Sequence, residues 1–250
     1  MDWDGTTALS RTGWSDIMLQ IYLEHLPPTP EEDDATRRAF AWAELMRLNG
    51  RPSIHQMAHL AELVRTRGGE PAQALDYQAD FQQRLGDLVH ARLNEIRAGD
   101  RTPHTLLIPG VTDFLAILHA RGISLTLASG TPLPQLREEA ELLGVAQFFE
   151  GRIFGPTDTH DLQFSKRGVI AVLLQGGGLQ GSELLAFGDG PVEISETKAV
   201  GGLTVAVASD EENPGQLDEW KRETLLLAGA DAVIADYRDA AKFIAKLVEG

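Results

Sequence analysis

The sequence predicts an α/β protein: a Rossmann-like, doubly wound parallel sheet with an all-helical domain inserted into it. Between residues 14 and 98 the apolar residues recur at helical spacing, and no strand pattern interrupts them. From Leu106 onward, short apolar runs alternate with amphipathic helices, the pattern of a parallel sheet covered by helices on both faces. At 250 residues the chain is long enough to form both parts.

The helical stretch has clear start and stop signals. A proline-rich segment, residues 27–30, precedes one helix, Asn49-Gly50 ends it, and Pro52-Ser53 starts the next. We predict four helices joined by short loops. The expected domains are an α/β core of residues 1–13 and 99–250 and a helical domain of residues 14–98.

The alternating stretch predicts five short strands and the helices between them. Residues 106–110 are interpreted as the return of the chain into the sheet domain. The predicted strands are residues 124–128, a short piece near 152–154, and residues 184–188, 203–208 and 232–235. The helices are predicted to begin near Val111, Leu133, Lys166, Pro191 and Asn213, with a last helix at residues 239–248.

Composition narrows the class of function. The net charge of -15 argues against nucleic-acid and anionic-membrane partners. It leaves room for a small phosphorylated metabolite, because a divalent cation and a few basic side chains can reverse the charge of one pocket. Cysteine is absent, which excludes disulfides and thiolate chemistry. No apolar run reaches the ~20 residues of a membrane span, so we expect a cytoplasmic protein.

Two acids near the first residue suggest covalent phosphoryl transfer. In Asp2-Trp3-Asp4-Gly5-Thr6, one carboxylate can attack phosphorus while the other donates a proton to the leaving oxygen and then takes one from water. An acidic surface turn is the alternative reading of these five residues.

Three later segments carry polar residues suited to a phosphate and a metal ion. An apolar run ends at Ser129-Gly130, where a hydroxyl and free backbone N–H groups can bind phosphate. Lys166 precedes an apolar helix and can offset charge on a phosphoryl group. Asp189 and Glu193 follow another apolar run and offer the oxygen ligands that Mg²⁺ takes. The first segment has a plain alternative as a simple turn, and Lys166 has one as a solvated lysine.

In this order and spacing, the four segments resemble motifs one to four of the haloacid dehalogenase-like (HAD) hydrolases. The resemblance runs from Asp2 to the end of the chain. It implies that Asp2 is the nucleophile, Asp4 the general acid and base, and Mg²⁺ the cofactor. It further implies a phosphate site formed by Ser129, Gly130 and Lys166, and a metal site formed by Asp2, the backbone carbonyl of Asp4, Asp189 and Glu193. The family more often has Asp at the last of these positions.

The helical insertion resembles the C1 cap of this family, which is expected to carry specificity. Asp4 argues against a dehalogenase, because halide displacement needs no acid for a leaving oxygen. Residues 14–98 contain no lysine, which argues against a phosphonatase. The candidate substrate contacts are Arg11, Arg51 and Gln56; each could equally be solvated.

The resemblance implies a Mg²⁺-dependent phosphatase that acts on a small phosphomonoester through an aspartyl-phosphate. Residues 187–193, with 201–202 and 205–211, look like a subgroup sometimes associated with carbohydrate kinases, which favours a sugar phosphate. A phosphomutase is the alternative enzyme. A non-catalytic binding module is the other alternative, because the strand that normally precedes the first Asp is largely missing. We expect several mainly apolar residues before Met1 in the native protein.

Overall fold

A computed structural model describes residues 1–30, 32–49, 52–157 and 164–239 of the chain. The chain forms two compact units. The first contains Met1–Ser10 together with the chain from Arg92 onward, and the second contains Arg11–Ala91. Among the described residues, no helix combines the length and apolar character that a membrane crossing requires.

The second unit is helical, and the four predicted helices are present. They are α1 (Trp14–His25), α2 (Asp34–Met46), α3 (Ser53–Thr66) and α4 (Ala74–Ala98), and the unit ends within α4. Asp33 caps α2, since its carboxylate accepts a hydrogen bond from the Thr36 amide at 2.8 Å. The helices enclose a separate apolar core that includes Met18, Ile21, Tyr22, Leu45, Met57 and Leu60.

The first unit has the predicted alternation of strands and helices, which confirms the α/β class. After a 3₁₀ turn at Pro103–Leu106, its helices and strands are α5 (Val111–Ala120), β1 (Leu127–Ala128), α6 (Leu133–Leu142), β2 (Ile153–Phe154), α7 (Lys166–Gly177), β3 (Leu185–Gly188), α8 (Pro191–Ala199), β4 (Leu203–Val207), α9 (Glu219–Leu227) and β5 (Ala232–Ile234). Further 3₁₀ turns lie at Ala146–Phe149 and Gly181–Glu183.

Two of the predicted boundaries are wrong, and the last helix lies outside the described residues except for its first residue. The strand predicted at 124–128 is ordered as a strand only at Leu127–Ala128. The helix predicted to begin near Asn213 begins at Glu219, because Asp210 closes a turn by accepting the Asn213 amide at 3.0 Å. Asp218 then caps the helix.

The described strands form two parallel sheets with a gap between them. β1 pairs with β2, and β3, β4 and β5 pair in that order. Met1 and Asp2 connect the two sheets: the Met1 nitrogen donates to the Thr126 carbonyl (2.8 Å), and the Met1 carbonyl accepts from the Ala128 amide (3.0 Å). On the other side, the Asp2 amide donates to the Phe187 carbonyl at 3.0 Å. The backbone of Met1 and Asp2 thus lies between the two sheets and is hydrogen-bonded to both.

A cavity of about 520 Å³ occupies the gap. Its walls include the backbone segments 124–126 and 184–187, together with apolar side chains of α7 such as Val169 and Leu173. The strands on either side of the cavity, β1 and β3, are not hydrogen-bonded to each other. Met1 also lines the cavity.

Trp3 anchors the segment that follows this short link. Its side chain is fully buried, and its indole nitrogen donates to the Glu139 carboxylate at 2.8 Å. Its carbonyl accepts hydrogen bonds from the amides of Thr6, Thr7 and Ala8, which closes the turn. Trp3 thus fixes the backbone on which Asp2 and Asp4 are carried.

We predict that Trp3→Phe lowers the free energy of unfolding by about 2–3 kcal/mol, because it opens a small cavity and removes a donor from the buried Glu139 carboxylate. Urea denaturation followed by circular dichroism measures the change. Trp220→Phe is the matched control, since Trp220 is 45% exposed and its replacement should change stability by less than about 0.5 kcal/mol. Equal effects of the two substitutions would contradict the anchoring role of Trp3.

Candidate active site

Three carboxylates and one lysine meet at the carboxyl end of β3. Asp2 follows Met1 in the gap, Asp189 follows β3, and Glu193 lies in the first turn of α8. One oxygen from each of these acids lies within 4.8 Å of the others. The Lys166 ammonium, at the start of α7, is 2.7 Å from Asp2 Oδ2 and 3.0 Å from Glu193 Oε2. The structure therefore brings four of the residues chosen from the sequence into one cluster.

The donor set of this cluster fits a small divalent cation. All three groups are carboxylates, and Mg²⁺ prefers oxygen ligands, with one or two carboxylates completed by water and phosphate. Glu193 also accepts a hydrogen bond from the Gly190 amide at 2.6 Å, which fixes its carboxylate in the turn before α8. The residues that would hold Mg²⁺ are thus Asp2, Asp189 and Glu193.

Burial and mutual repulsion shape the charges of the cluster. Burial, followed by the charge of Asp2, raises the pKa of Glu193 to about 7. Burial also raises the pKa of Asp189 above its usual range. Burial opposes the charge on Lys166, but the adjacent Asp2 and Glu193 outweigh it and raise the pKa of the ammonium. Lys166 therefore stays protonated. A further positive charge placed among the three carboxylates would stabilise their ionised forms.

Asp4 and Ser129 are linked through Thr131. The Thr131 hydroxyl donates to Asp4 Oδ2 at 3.1 Å, and the Thr131 amide donates to Ser129 Oγ at 3.1 Å. Ser129 is buried directly after β1, and its own amide donates to the Phe154 carbonyl. The turn of residues 129–131, which includes Gly130, therefore orients the Asp4 carboxylate.

Gly5 lets the first segment approach Asp189. Its φ of 65° is in the left-handed region, and a Cβ added there would lie 2.1 Å from Asp189 Oδ2. Next to it, the Thr6 hydroxyl donates to Asp189 Oδ1 at 3.2 Å. Gly5 is required here because the backbone and the Asp189 carboxylate come within contact distance.

A second buried lysine was missed in the sequence. The Lys221 ammonium is 3.1 Å from Asp189 Oδ2 and 2.7 Å from Glu211 Oε1. The side chains of Thr6 and Thr131 were also given no role, although their adjacency to Gly5 and Ser129 was a signal. Lys221 lies 32 residues from Asp189 and gave no local signal.

The candidate substrate residues are placed differently. Arg11 is the first residue of the helical unit and is partly buried. Gln56 is 3% exposed within that unit, and its amide faces the Leu45 carbonyl at 3.5 Å. This burial among the helices argues against a substrate contact by Gln56. Arg51 lies outside the described residues.

We predict that Gly5→Ala lowers the free energy of unfolding by about 1–3 kcal/mol through its left-handed backbone alone, and by more through the contact with Asp189. Gly144→Ala is the matched control, because Gly144 has a φ of 73° but a Cβ there would meet nothing within 4 Å. Thermal denaturation of both variants separates the two contributions. Equal losses of stability would show that the Asp189 contact is unimportant.

The curated relatives are phosphatases. The phosphoglycolate phosphatase of Salmonella typhimurium is 29% identical over 224 residues, which cover 82% of this chain and 79% of the relative. The Escherichia coli phosphoglycolate phosphatase is 28% identical over 220 residues, with the same coverage. Alignments of this extent include both the α/β segments and the helical segment.

Solved structures support the fold. An Agrobacterium tumefaciens HAD-like protein of unknown function has a TM-score of 0.67 at 16% identity, covering 99% of this chain and 96% of that one. A predicted phosphoglycolate phosphatase of Haemophilus somnus has a TM-score of 0.63 at 18% identity, with 97% and 95% covered. A candidate β-phosphoglucomutase of Thermotoga maritima has a TM-score of 0.60 at 16% identity, with 98% and 97% covered. At these identities the similarity shows the fold alone.

A family model described as haloacid dehalogenase-like hydrolase matches residues 1–201, which is most of the chain and includes every motif residue named above. The prediction made from the four motifs is confirmed: the chain belongs to the haloacid dehalogenase-like hydrolases.

Proposed function

We propose that this protein is a Mg²⁺-dependent phosphatase that hydrolyses a small phosphomonoester through a phosphorylated Asp2. The class, a phosphoric monoester hydrolase, follows from the family and from the phosphatase relatives. The observation that carries the proposal is the Asp2 carboxylate, held 2.7 Å from the Lys166 ammonium and within 4.8 Å of two further acids. A cytoplasmic location stays a prediction.

In the first step, an Asp2 oxygen attacks phosphorus and the bond from phosphorus to the ester oxygen breaks. Asp4, which enters the step protonated, donates its proton to the leaving oxygen, and the alcohol departs. The Thr131 hydroxyl supports this role because it orients the Asp4 carboxylate. Lys166 contacts Asp2 directly and offsets the negative charge that accumulates near the phosphoryl group.

In the second step, Asp4 takes a proton from water, and the resulting hydroxide attacks phosphorus. The bond between phosphorus and Asp2 breaks, which restores the Asp2 carboxylate and releases inorganic phosphate. Ser129 and Gly130 are proposed to donate hydrogen bonds to the phosphoryl oxygens. When bound by Asp2, Asp189 and Glu193, Mg²⁺ supplies positive charge that stabilises the phosphoryl oxygens.

We propose that the helical unit is the cap that selects the substrate. It is inserted between Ser10 and Arg92, shortly after the first motif. Of the candidate contacts, Arg11 remains in the proposal, Arg51 remains untested, and the burial of Gln56 removes it. The relatives hydrolyse phosphoglycolate by name, whereas the motifs around Asp189 favour a sugar phosphate, so both classes belong in a substrate panel.

We predict that Asp2→Asn lowers phosphate release by at least about 10³-fold, because an amide cannot form the phosphorylated intermediate. The assay is phosphate release from p-nitrophenyl phosphate, phosphoglycolate and hexose phosphates with Mg²⁺, and EDTA should abolish it in the unchanged protein. Asp113→Asn is the matched control, since Asp113 is an exposed acid on α5 of the same unit.

Two outcomes would contradict the proposal. If the unchanged protein and Asp2→Asn are equally inactive across the panel with Mg²⁺, the chain is a binding module. If an isomeric sugar phosphate accumulates while little phosphate is released, the enzyme is a mutase, the alternative that the same four motifs allow.

A further inference from the structure

A second ion-pair network lies behind the carboxylate cluster. The Lys221 ammonium contacts Asp189 Oδ2 at 3.1 Å and Glu211 Oε1 at 2.7 Å. Its side chain is 13% exposed, and those of Asp189 and Glu211 are 18% exposed. The network is thus largely shielded from water. A charged side chain that is shielded in this way needs an oppositely charged partner.

The position of Lys221 is determined by the loop that leads into α9. The Asp218 carboxylate accepts a hydrogen bond from the Lys221 amide at 2.9 Å, which stabilises the first turn of α9. The Asp210 amide donates to the Gln216 carbonyl at 3.0 Å, which closes the loop that carries Glu211. Lys221 and Glu211 are therefore held by separate backbone contacts and meet at Asp189.

Asp189 is held through both of its oxygens. Thr6 donates to Oδ1 at 3.2 Å and Lys221 donates to Oδ2 at 3.1 Å. A carboxylate has about four lone-pair sites, so these two hydrogen bonds orient the group and leave acceptor capacity for a cation.

We propose that Lys221 is a positioning residue that holds Asp189 in its metal-binding orientation, and that Glu211 holds Lys221. This inference rests on the proposed function, because it takes Asp189 to be a Mg²⁺ ligand. Lys166 has a different role, since it contacts Asp2 and Glu193 and not the Asp189 carboxylate.

Charge and orientation have opposite effects on Mg²⁺ affinity when Lys221 is lost. An ammonium alone beside the metal would weaken binding by repulsion. Removing Lys221 alone leaves the Glu211 carboxylate unpaired, and this extra negative charge favours Mg²⁺ binding. A weaker affinity in Lys221→Met therefore reports the lost orientation of Asp189, which we expect to outweigh the gain in negative charge.

We predict that Lys221→Met raises the dissociation constant for Mg²⁺ about 10- to 100-fold, the usual effect of removing a partner of a metal ligand. Isothermal titration calorimetry of the full chain with Mg²⁺ alone measures this without any assay of activity. In phosphatase assays, the Mg²⁺ concentration for half-maximal rate should rise by a similar factor, whereas kcat at saturating Mg²⁺ should stay within a few-fold of the unchanged enzyme.

Two further variants complete the test. Lys198→Met is the matched control, because Lys198 is also a lysine in an ion pair, 2.7 Å from Asp231, and should leave Mg²⁺ affinity unchanged. Glu211→Gln should weaken Mg²⁺ binding in the same direction and by a smaller factor, since Lys221 then remains at Asp189 as an uncompensated charge. If Lys221→Met does not fold, the double variant Lys221→Met/Glu211→Gln, which leaves the net charge unchanged, decides the question.

The inference fails if Lys221→Met or Glu211→Gln binds Mg²⁺ as tightly as the unchanged protein, or more tightly, while that protein hydrolyses phosphomonoesters. In that case the proposed function stands and only the role of Lys221 is wrong. If the unchanged protein binds no Mg²⁺, both proposals are wrong. If it binds Mg²⁺ but hydrolyses nothing, a weaker affinity in the variants still supports the positioning role.

Discussion

The constraint on which the site depends is the confinement of negative charge. Asp2, Asp189 and Glu193 offer oxygens within 4.8 Å of one another. Two like charges about 4 Å apart repel by roughly 4 kcal/mol at the dielectric typical of protein sites. Such a cluster persists only if cations stand beside it, and the chain places two lysines there, Lys166 at the start of α7 and Lys221 in α9. The first turns of α7 and α9 thus contribute to the charge balance of the site.

The acids also need close approach, which the first eight residues provide. Gly5 allows the backbone to approach Asp189 closely. Trp3 holds the turn of residues 3–8 in place through its hydrogen bond to the buried Glu139 carboxylate. A polar group buried in this way is stable only because it is hydrogen-bonded, and Glu139 also accepts from the Ser10 hydroxyl at 2.9 Å. The segment that carries Asp2 is therefore anchored from both sides even though little strand precedes it.

The sequence predicted the parts of this arrangement that depend on local pattern. Asp189 and Glu193 both follow one apolar run, which placed them at the same strand end, whereas their meeting with Asp2 and Lys166 was implied by the resemblance to the family. The start of α9 was predicted six residues early, at Asn213 and not Glu219, because hydrogen bonds to Asp210 and Asp218 decide it and helical spacing does not reveal them. For the same reason Lys221 was missed. The burial of Gln56 was not predicted either: a polar side chain at a helix start is usually exposed, but Gln56 is 3% exposed.

The gap between β1 and β3 divides the α/β unit into two parts that carry different residues of the candidate site. One part carries Ser129 and Thr131, the other carries Asp189 and Lys221, and Met1 and Asp2 are hydrogen-bonded to both. Proteins open locally along their weakest contacts before they unfold as a whole. Opening along this seam would separate residues 129–131 from Asp189 and Glu193 without unfolding any of the helices that the structure describes. Catalytic turnover is then a more sensitive gauge of how well the two halves stay docked than any spectroscopic measure of secondary structure.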